Sequence, residues 1–231
     1  MATVNVDRPP QESEFVSIAS HELRTPISVV HGIAVTLYAR VDDLDEKQVH
    51  ALLGALVLQT DRLRDLADQL LDLSRIEGGR LSGHAEPFHP RERIEELLPR
   101  IAGERLDDVR VLIDGDCELV ADALAFERVA ANLIVNALRY GEAPVLVRGE
   151  NGNGFRLVVE DRGEGVEPAF IPHLFERFSR SDETRRVGAP GAGLGLSIAS
   201  AYAAVLGGSL AYEEAQPHGA RFTLSLPAAR S

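Results

Sequence analysis

Between Glu12 and about Arg40, apolar residues recur every seven positions. Val16, Leu23, Val30 and Leu37 form one row, and Ala19, Pro26 and Ile33 a second row three residues on. A segment from about Asp45 to Glu77 repeats the pattern: Val49, Leu56, Leu63 and Leu70 alternate with Leu52, Leu66 and Leu73, interrupted at Gln59. The short acidic VDDLDE between them reads as a turn and helix start. This spacing predicts an antiparallel helical hairpin with coiled-coil seams. Two helices alone bury little surface, so the expected product is a four-helix bundle built by a homodimer. Gly78-Gly79 ends the second helix, and RLSGHAEP reads as a polar linker. The expected organisation is an N-terminal segment 1–11, a hairpin domain 12–80 and a second domain 81–231.

The second half changes period and reads as mixed α/β. Pro90 to Ala102 has the pattern of an amphipathic helix. Val109 to Ile113 and Cys117 to Ala121 are short strand candidates, and Asp122 caps a helix running to about Tyr140. Val145 to Gly149 and Phe155 to Glu160 read as strands paired around the NGNG turn. Leu196 to Leu206 follows as a helix, with Ser209 to Tyr212 and Ala220 to Leu226 as closing strands. Between Gly163 and Gly195 lies a connection of a length often found in lids.

Composition narrows the classes. The formal charge is −12 with both signs spread along the chain, and no basic stripe stands out, which argues against a nucleic-acid partner. An anionic ligand would need backbone amides, a metal ion or a few local arginines. The single cysteine, Cys117, rules out an internal disulfide and suits a reducing compartment; it lies in an apolar stretch and reads as a buried thiol. No signal-peptide pattern and no membrane-length apolar run is present, so the segment is expected to be cytoplasmic and without membrane contact. A sensor or transmembrane region elsewhere in a longer protein stays open.

Candidate chemistry sits on both halves. The seam assignment puts His21, in SIASHELRTP, on the outer face of the hairpin. Glu22 can accept a proton from Nδ1 of the imidazole or orient it, leaving the other nitrogen as nucleophile. Pro26 removes the hydrogen bond to the Glu22 carbonyl and is expected to bend the helix there. Thr25 lies one turn from His21. In the second half Asn132 and Asn136 share one helix face, although Asn is a poor helix-interior residue. An Asn carbonyl suits Mg²⁺ held jointly with phosphates. Asp161 ends a strand and is followed by Gly163 and Gly165, an arrangement able to accept the exocyclic amine of an adenine. Gly191, Gly193 and Gly195 precede a helix whose amides can cradle phosphates. Each feature also has a plain structural reading: a solvated histidine, a polar helix face, a common turn, a flexible hinge.

Taken in order, the motifs resemble those of the histidine kinase family of two-component signalling. FVSIASHELRTPI is similar to its H box, NLIVNALRY to the N box, DRGEGV to the first glycine box, LFERF to the F box and GAGLGL to the second glycine box. The resemblance implies a helical hairpin forming a dimeric four-helix bundle, followed by a layered α/β sandwich of the Bergerat type that binds ATP. It implies that His21 is phosphorylated on Nε2 with Glu22 as acid/base partner, and that Thr25 assists a phosphatase reaction on a response regulator receiver domain. It assigns Mg²⁺ to Asn136 and the nucleotide to Asn132, Asn136, Arg139, Tyr140, Asp161, Gly163, Gly165, Arg177, Gly191, Gly193, Leu194, Gly195 and Leu196. Phe175 to Phe178 and the following SRSDETRR would belong to a mobile lid. Arg139 stands where the family usually has Lys, replacing a point charge by a planar fork. Two rivals remain: an ATPase that uses the same pocket for conformational work, and a dimerisation module with a degenerate ATP site.

Overall fold

The computed structural model describes residues 11–78, 84–181 and 192–228, with the side chains of residues 11–16 and Glu77 outside that description. The chain forms two compact units, Met1–Leu71 and Asp72–Ser231. The first holds α1 (Gln11–Arg40) and most of α2 (Glu46–Glu77), joined by a short 3₁₀ turn at Val41–Asp43. Asp45 and Gln48 exchange side-chain to backbone hydrogen bonds of 2.8 and 3.0 Å, a reciprocal cap that starts α2 where the acidic turn predicts it. α1 is one helix through Pro26. The predicted seam is visible in the burial: Ala19, Leu23, Pro26, Val30, Ile33 and Leu37 on α1 are buried or half-buried, as are Val49, Leu52, Leu56, Leu63, Leu66, Leu70 and Leu73 on α2, while the side chain of Val16 lies outside the description. Ile27, Val35, Tyr38, Leu53, Val57 and Leu58 remain exposed apolar side chains.

α2 runs without a break past Leu71, so its last turns, from Asp72 onward, belong to the second unit. The predicted linker there is shorter than its composition suggests. Ala85–Phe88, whose first three residues belong to RLSGHAEP, form strand β1, which pairs antiparallel with β3 (Leu119–Asp122). Cross-strand hydrogen bonding satisfies a backbone that AEPF has no period-2 pattern to announce.

Between these strands come α3 (Pro90–Ala102) and β2 (Val109–Leu112); Pro90 sits at the first helical position, where its missing N–H costs nothing. α4 (Ala123–Tyr140) follows, capped by Asp122, whose carboxylate accepts from the Ala125 N–H at 2.8 Å. The hairpin β4 (Val145–Gly152) and β5 (Gly154–Glu160) runs further into the NGNG turn than the sequence pattern extends. α5 (Gly195–Val205), β6 (Ser209–Glu214) and β7 (Ala220–Pro227) complete the unit. The main sheet has the order β2-β4-β5-β7-β6, parallel only between β2 and β4. Val145, Val147, Phe155, Leu157, Val159, Phe222 and Leu224 point inward from it. They meet the helical layer, where Phe126, Val129, Leu133 and Ile134 of α4 and Ile198 and Ala199 of α5 are fully buried. Cys117 is buried and unpaired, as read. No described helix is long and apolar enough to cross a membrane.

On the outward face, Glu160 is buried under three guanidiniums: Arg148 at 2.6 Å, Arg221 at 2.8 Å and Arg162 at 3.1 Å. Burial pushes its carboxyl up, but Arg221, Arg148 and Arg162 together outweigh that and hold it below the ordinary value. A lowered folded pKa contributes stability above the ordinary value of 4.5 that is lost as pH falls through the folded one. Glu160→Gln is therefore expected to destabilise the second unit at neutral pH by roughly 1–3 kcal/mol. Urea unfolding at a series of pH values should show this deficit shrinking below pH 4.5, as wild-type Glu160 itself protonates.

Candidate active site

The first unit exposes a histidine. The His21 side chain is 75% exposed on α1, with Nδ1 3.8 Å from Glu22 Oε1. That separation is longer than a hydrogen bond, and a small rotamer change would close it. Thr25 Oγ1 donates to the His21 carbonyl at 3.5 Å, so its hydroxyl lies on the same side of the helix, one turn on. These are neighbours on one helix and need no tertiary contact to come together.

The second unit brings its candidate residues together from distant segments. Asp161, the residue after β5, is 3% exposed. Strand alternation directs it inward where Glu160 points out. Its Oδ1 accepts from the Gly163 N–H at 2.9 Å and the Ala220 N–H at 3.1 Å, so both bonds leave Oδ2 unengaged by them. Burial, only partly offset by those two N–H groups, raises its pKa, and neighbouring Glu160 adds to the rise. Glycines make room for it. A Cβ on Gly141 would lie 2.3 Å from Asp161 Cγ, and one on Gly219 2.1 Å from the Asp161 carbonyl oxygen. Gly163 approaches the Gly141 Cα and Gly165 the Gly219 carbonyl, Gly165 with φ +82°. Neither Gly141 nor Gly219 was legible as a site residue; a glycine directly after a helix reads as an ordinary cap.

Asn132 and Asn136 lie half-buried along α4. Asn132 Nδ2 donates to the Arg128 carbonyl at 2.8 Å, which aims Oδ1 at the start of α5: a Cβ on Gly195 would lie 3.0 Å from it. The positive end of α5 thus begins beside Asn132. Gly193, φ +71°, packs on Ser179, where an added Cβ would sit 2.7 Å from the carbonyl oxygen. The residues flanking 182–191 therefore meet at Ser179 and Gly193; Gly191 and residues 182–186 of SRSDETRR lie outside the described residues. Leu194 is fully buried in the core, so its contribution to a ligand is confined to its backbone. Leu196 is half-buried, while Arg139, Tyr140 and Arg177 are exposed. Among the described residues no cluster of three His, Cys, Asp or Glu side chains could hold a metal ion.

Comparison with known proteins finds two family models along the chain. The His Kinase A (phospho-acceptor) domain matches residues 11–79, and the histidine kinase-, DNA gyrase B-, and HSP90-like ATPase family matches residues 121–230. The chain belongs to the histidine kinase family. Among curated proteins it is similar to the sensor-like histidine kinase SenX3 of Mycobacterium tuberculosis, 31% identical over 93% of this chain and 53% of SenX3. It is also similar to the sensory/regulatory protein RpfC of Xanthomonas campestris, 32% identical over 94% of this chain and 31% of RpfC. The chain thus spans about half the length of SenX3 and less of RpfC. Of solved structures, the Acinetobacter baumannii histidine kinase AdeS superposes with a TM-score of 0.70 at 26% identity, covering 91% of this chain and 98% of that one. The mycobacterial sensor histidine kinase MprB gives 0.54 at 29% identity, over 62% and 97%.

For this member of the histidine kinase family, the Asp161 environment has a measurable consequence. With Oδ1 engaged by two N–H donors, a proton entering Asp161 goes to Oδ2 and would remove its capacity to accept from a ligand's amine. Adenine-nucleotide affinity measured by calorimetry should therefore fall on acidification, beginning above the ordinary aspartate value of 3.8 because the group's pKa is raised. Gly141→Ala should lower the affinity at every pH by displacing the carboxylate, at least tenfold, with Gly32→Ala, where nothing lies within 4 Å, as the control.

Proposed function

We propose that this chain is an autokinase that moves the γ-phosphoryl group of ATP to Nε2 of His21 and passes it to an aspartate of a separate response regulator. The observation that carries the reading is that one chain joins an exposed His-Glu pair on a helix to a pocket whose acceptor and amide-rich helix start suit a purine and its phosphates. The hairpin, residues 12–80, is read as the dimerisation and phosphotransfer domain, and residues 81–231 as the catalytic domain. The apolar side chains left exposed on α1 and α2 support a homodimer.

Asp161 Oδ2 would accept the exocyclic amine of adenine, with Gly163 and Gly165 letting the ring approach the backbone. Asn132, Gly193 and the α5 amides from Gly195 would surround the phosphates, joined by Arg139, Tyr140 and Arg177. The donor set fits Mg²⁺: it offers the hard amide oxygen of Asn136 and no all-protein cage, the situation in which substrate phosphates and water complete the shell. A bound Mg²⁺ would neutralise phosphate charge. In the transfer, Glu22 holds the Nδ1 proton so that the Nε2 lone pair is free. The P–Nε2 bond forms as the bond between the γ-phosphorus and the bridging oxygen breaks, and ADP leaves with the electron pair. Positioning supplies most of the rate. Thr25, beside His21, would orient water when the regulator's phosphate is hydrolysed. A reducing, ATP-supplied cytoplasm suits this chemistry and the unpaired Cys117.

Incubation with γ-labelled Mg-ATP should label the wild type and leave His21→Gln unlabelled, and the label should be acid-labile and base-stable. Phosphate release without labelled protein would point to the ATPase rival, and absence of nucleotide binding to a degenerate site; either result overturns the autokinase. Thr25→Ala should keep labelling within about twofold while slowing regulator dephosphorylation at least tenfold, read by loss of label from the purified regulator.

A further inference from the structure

The described core contains a buried acid that nothing above uses. Asp72, in the part of α2 that belongs to the second unit, is 2% exposed. Its Oδ1 accepts from the hydroxyl of Tyr202 at 2.8 Å, and Tyr202, on α5, is itself 3% exposed. Oδ2 lies 3.4 Å from Nη1 of Arg128 on α4, and Arg75, one turn along α2, brings Nη1 to 3.9 Å from Oδ1. Leu73 beside it is also buried. Burial, then the hydrogen bond and charge of Asp72, push the Tyr202 phenol up to about 12, so at neutral pH it stays protonated and donates.

A buried carboxylate is tolerated only when partnered, and removing one partner leaves the other group stranded. Apolar side chains could fill this space without that penalty, so the cluster specifies one seating of α2 where an apolar contact would allow several. The partners are placed with equal selectivity. Arg128 precedes Asn132 by one turn on α4, and its carbonyl receives the Asn132 amide. Tyr202 lies two turns after Gly195 on α5, and Gly195 abuts Asn132 Oδ1. Asp72 therefore joins, at one end, the same two helices whose other end forms the phosphate side of the pocket.

We propose that Asp72, Tyr202 and Arg128 form a polar latch that seats the end of α2 between α4 and α5, and that nucleotide binding at Asn132 and Gly195 and closure of the latch favour one another. The three are positioning residues for the nucleotide, acting through the spacing of α4 and α5. The idea rests on the nucleotide reading of that pocket. Linkage makes it reciprocal: if the latch tightens nucleotide, nucleotide must tighten the latch.

The test is amide hydrogen exchange of the full chain with and without Mg-ADP, together with Mg-ADP calorimetry on wild type, Tyr202→Phe and Asp72→Asn. Mg-ADP should slow exchange of the amides of residues 72–77 at least threefold in the wild type and not in either variant. Both variants should bind Mg-ADP three- to tenfold more weakly, and the double variant no more weakly than the worse single one. Exchange at 72–77 unmoved by Mg-ADP, or wild-type affinity in both variants, overturns the latch. If a variant does not fold, the wild-type exchange comparison decides alone, since a merely structural contact has no reason to respond to ADP. A wild type that binds no Mg-ADP overturns instead the nucleotide reading, and the linkage falls with it.

Discussion

Two adjacent buried carboxylates, Glu160 at the end of β5 and Asp161 directly after it, meet in the second unit, and neither can be left bare inside a protein. The strand's two-residue period separates them. Glu160 goes to the outward face, where three arginines from β4, β7 and the following turn neutralise it. Asp161 goes inward, where two backbone N–H groups among the described residues meet it. The first arrangement is a structural ion cluster and the second a poised acceptor. Burial raises both carboxyls; for Glu160 the three arginines outweigh it, whereas for Asp161 the two N–H groups offset it only in part, so the two pKa values move in opposite directions. Much of the neighbouring backbone answers to Asp161. The α4 terminus, the loop after β5 and the β6–β7 turn all approach it so closely that Gly141, Gly163 and Gly219 admit no side chain.

How much of this the sequence discloses depends on the range of the interaction. The hairpin was legible because its determinant is periodic: a seven-residue repeat needs no knowledge of partners. Asp122 as a cap and Pro90 as a helix start were legible because capping is local. His21 and Glu22 are neighbours in the chain, so their pairing was legible too. β1 was not, since AEPF has neither alternation nor β-branched residues and is a strand only because β3 lies alongside it. Gly141 was not, because what it must accommodate is twenty residues on and on another element. Asp72 was the least legible: in the sequence it is one more polar residue between the seam positions of α2, and its phenol partner is 130 residues away.

The same contrast separates the two halves of the proposed chemistry. The nucleophile is assembled from one helix and is exposed, which suits a group that must meet two different reagents in turn. The proposed nucleotide site draws on segments far apart in the chain and leans on buried polar contacts, which would suit a site that must discriminate a base. A site of the second kind is rigid only while its elements keep their spacing, and α4 supplies most of that control. Its apolar side, Phe126, Val129, Leu133 and Ile134, is fixed against the sheet.

The other side of α4 carries Arg128, Asn132 and Asn136 at four-residue intervals, so they stack along one stripe. Asn132 is held by the Arg128 carbonyl, while the Arg128 side chain reaches the buried Asp72. A polar stripe that begins on a buried acid of α2 and ends beside Gly195 is hard to explain by solubility, because Asp72 and Tyr202 see almost no water. It is equally hard to explain by stability alone, since well-packed apolar residues would serve at least as well. What a polar stripe provides is direction: each bond fixes the geometry of the next. On that argument the helix proposed to hold the phosphates is also the one that meets Asp72, and the two roles are inseparable because they share one backbone.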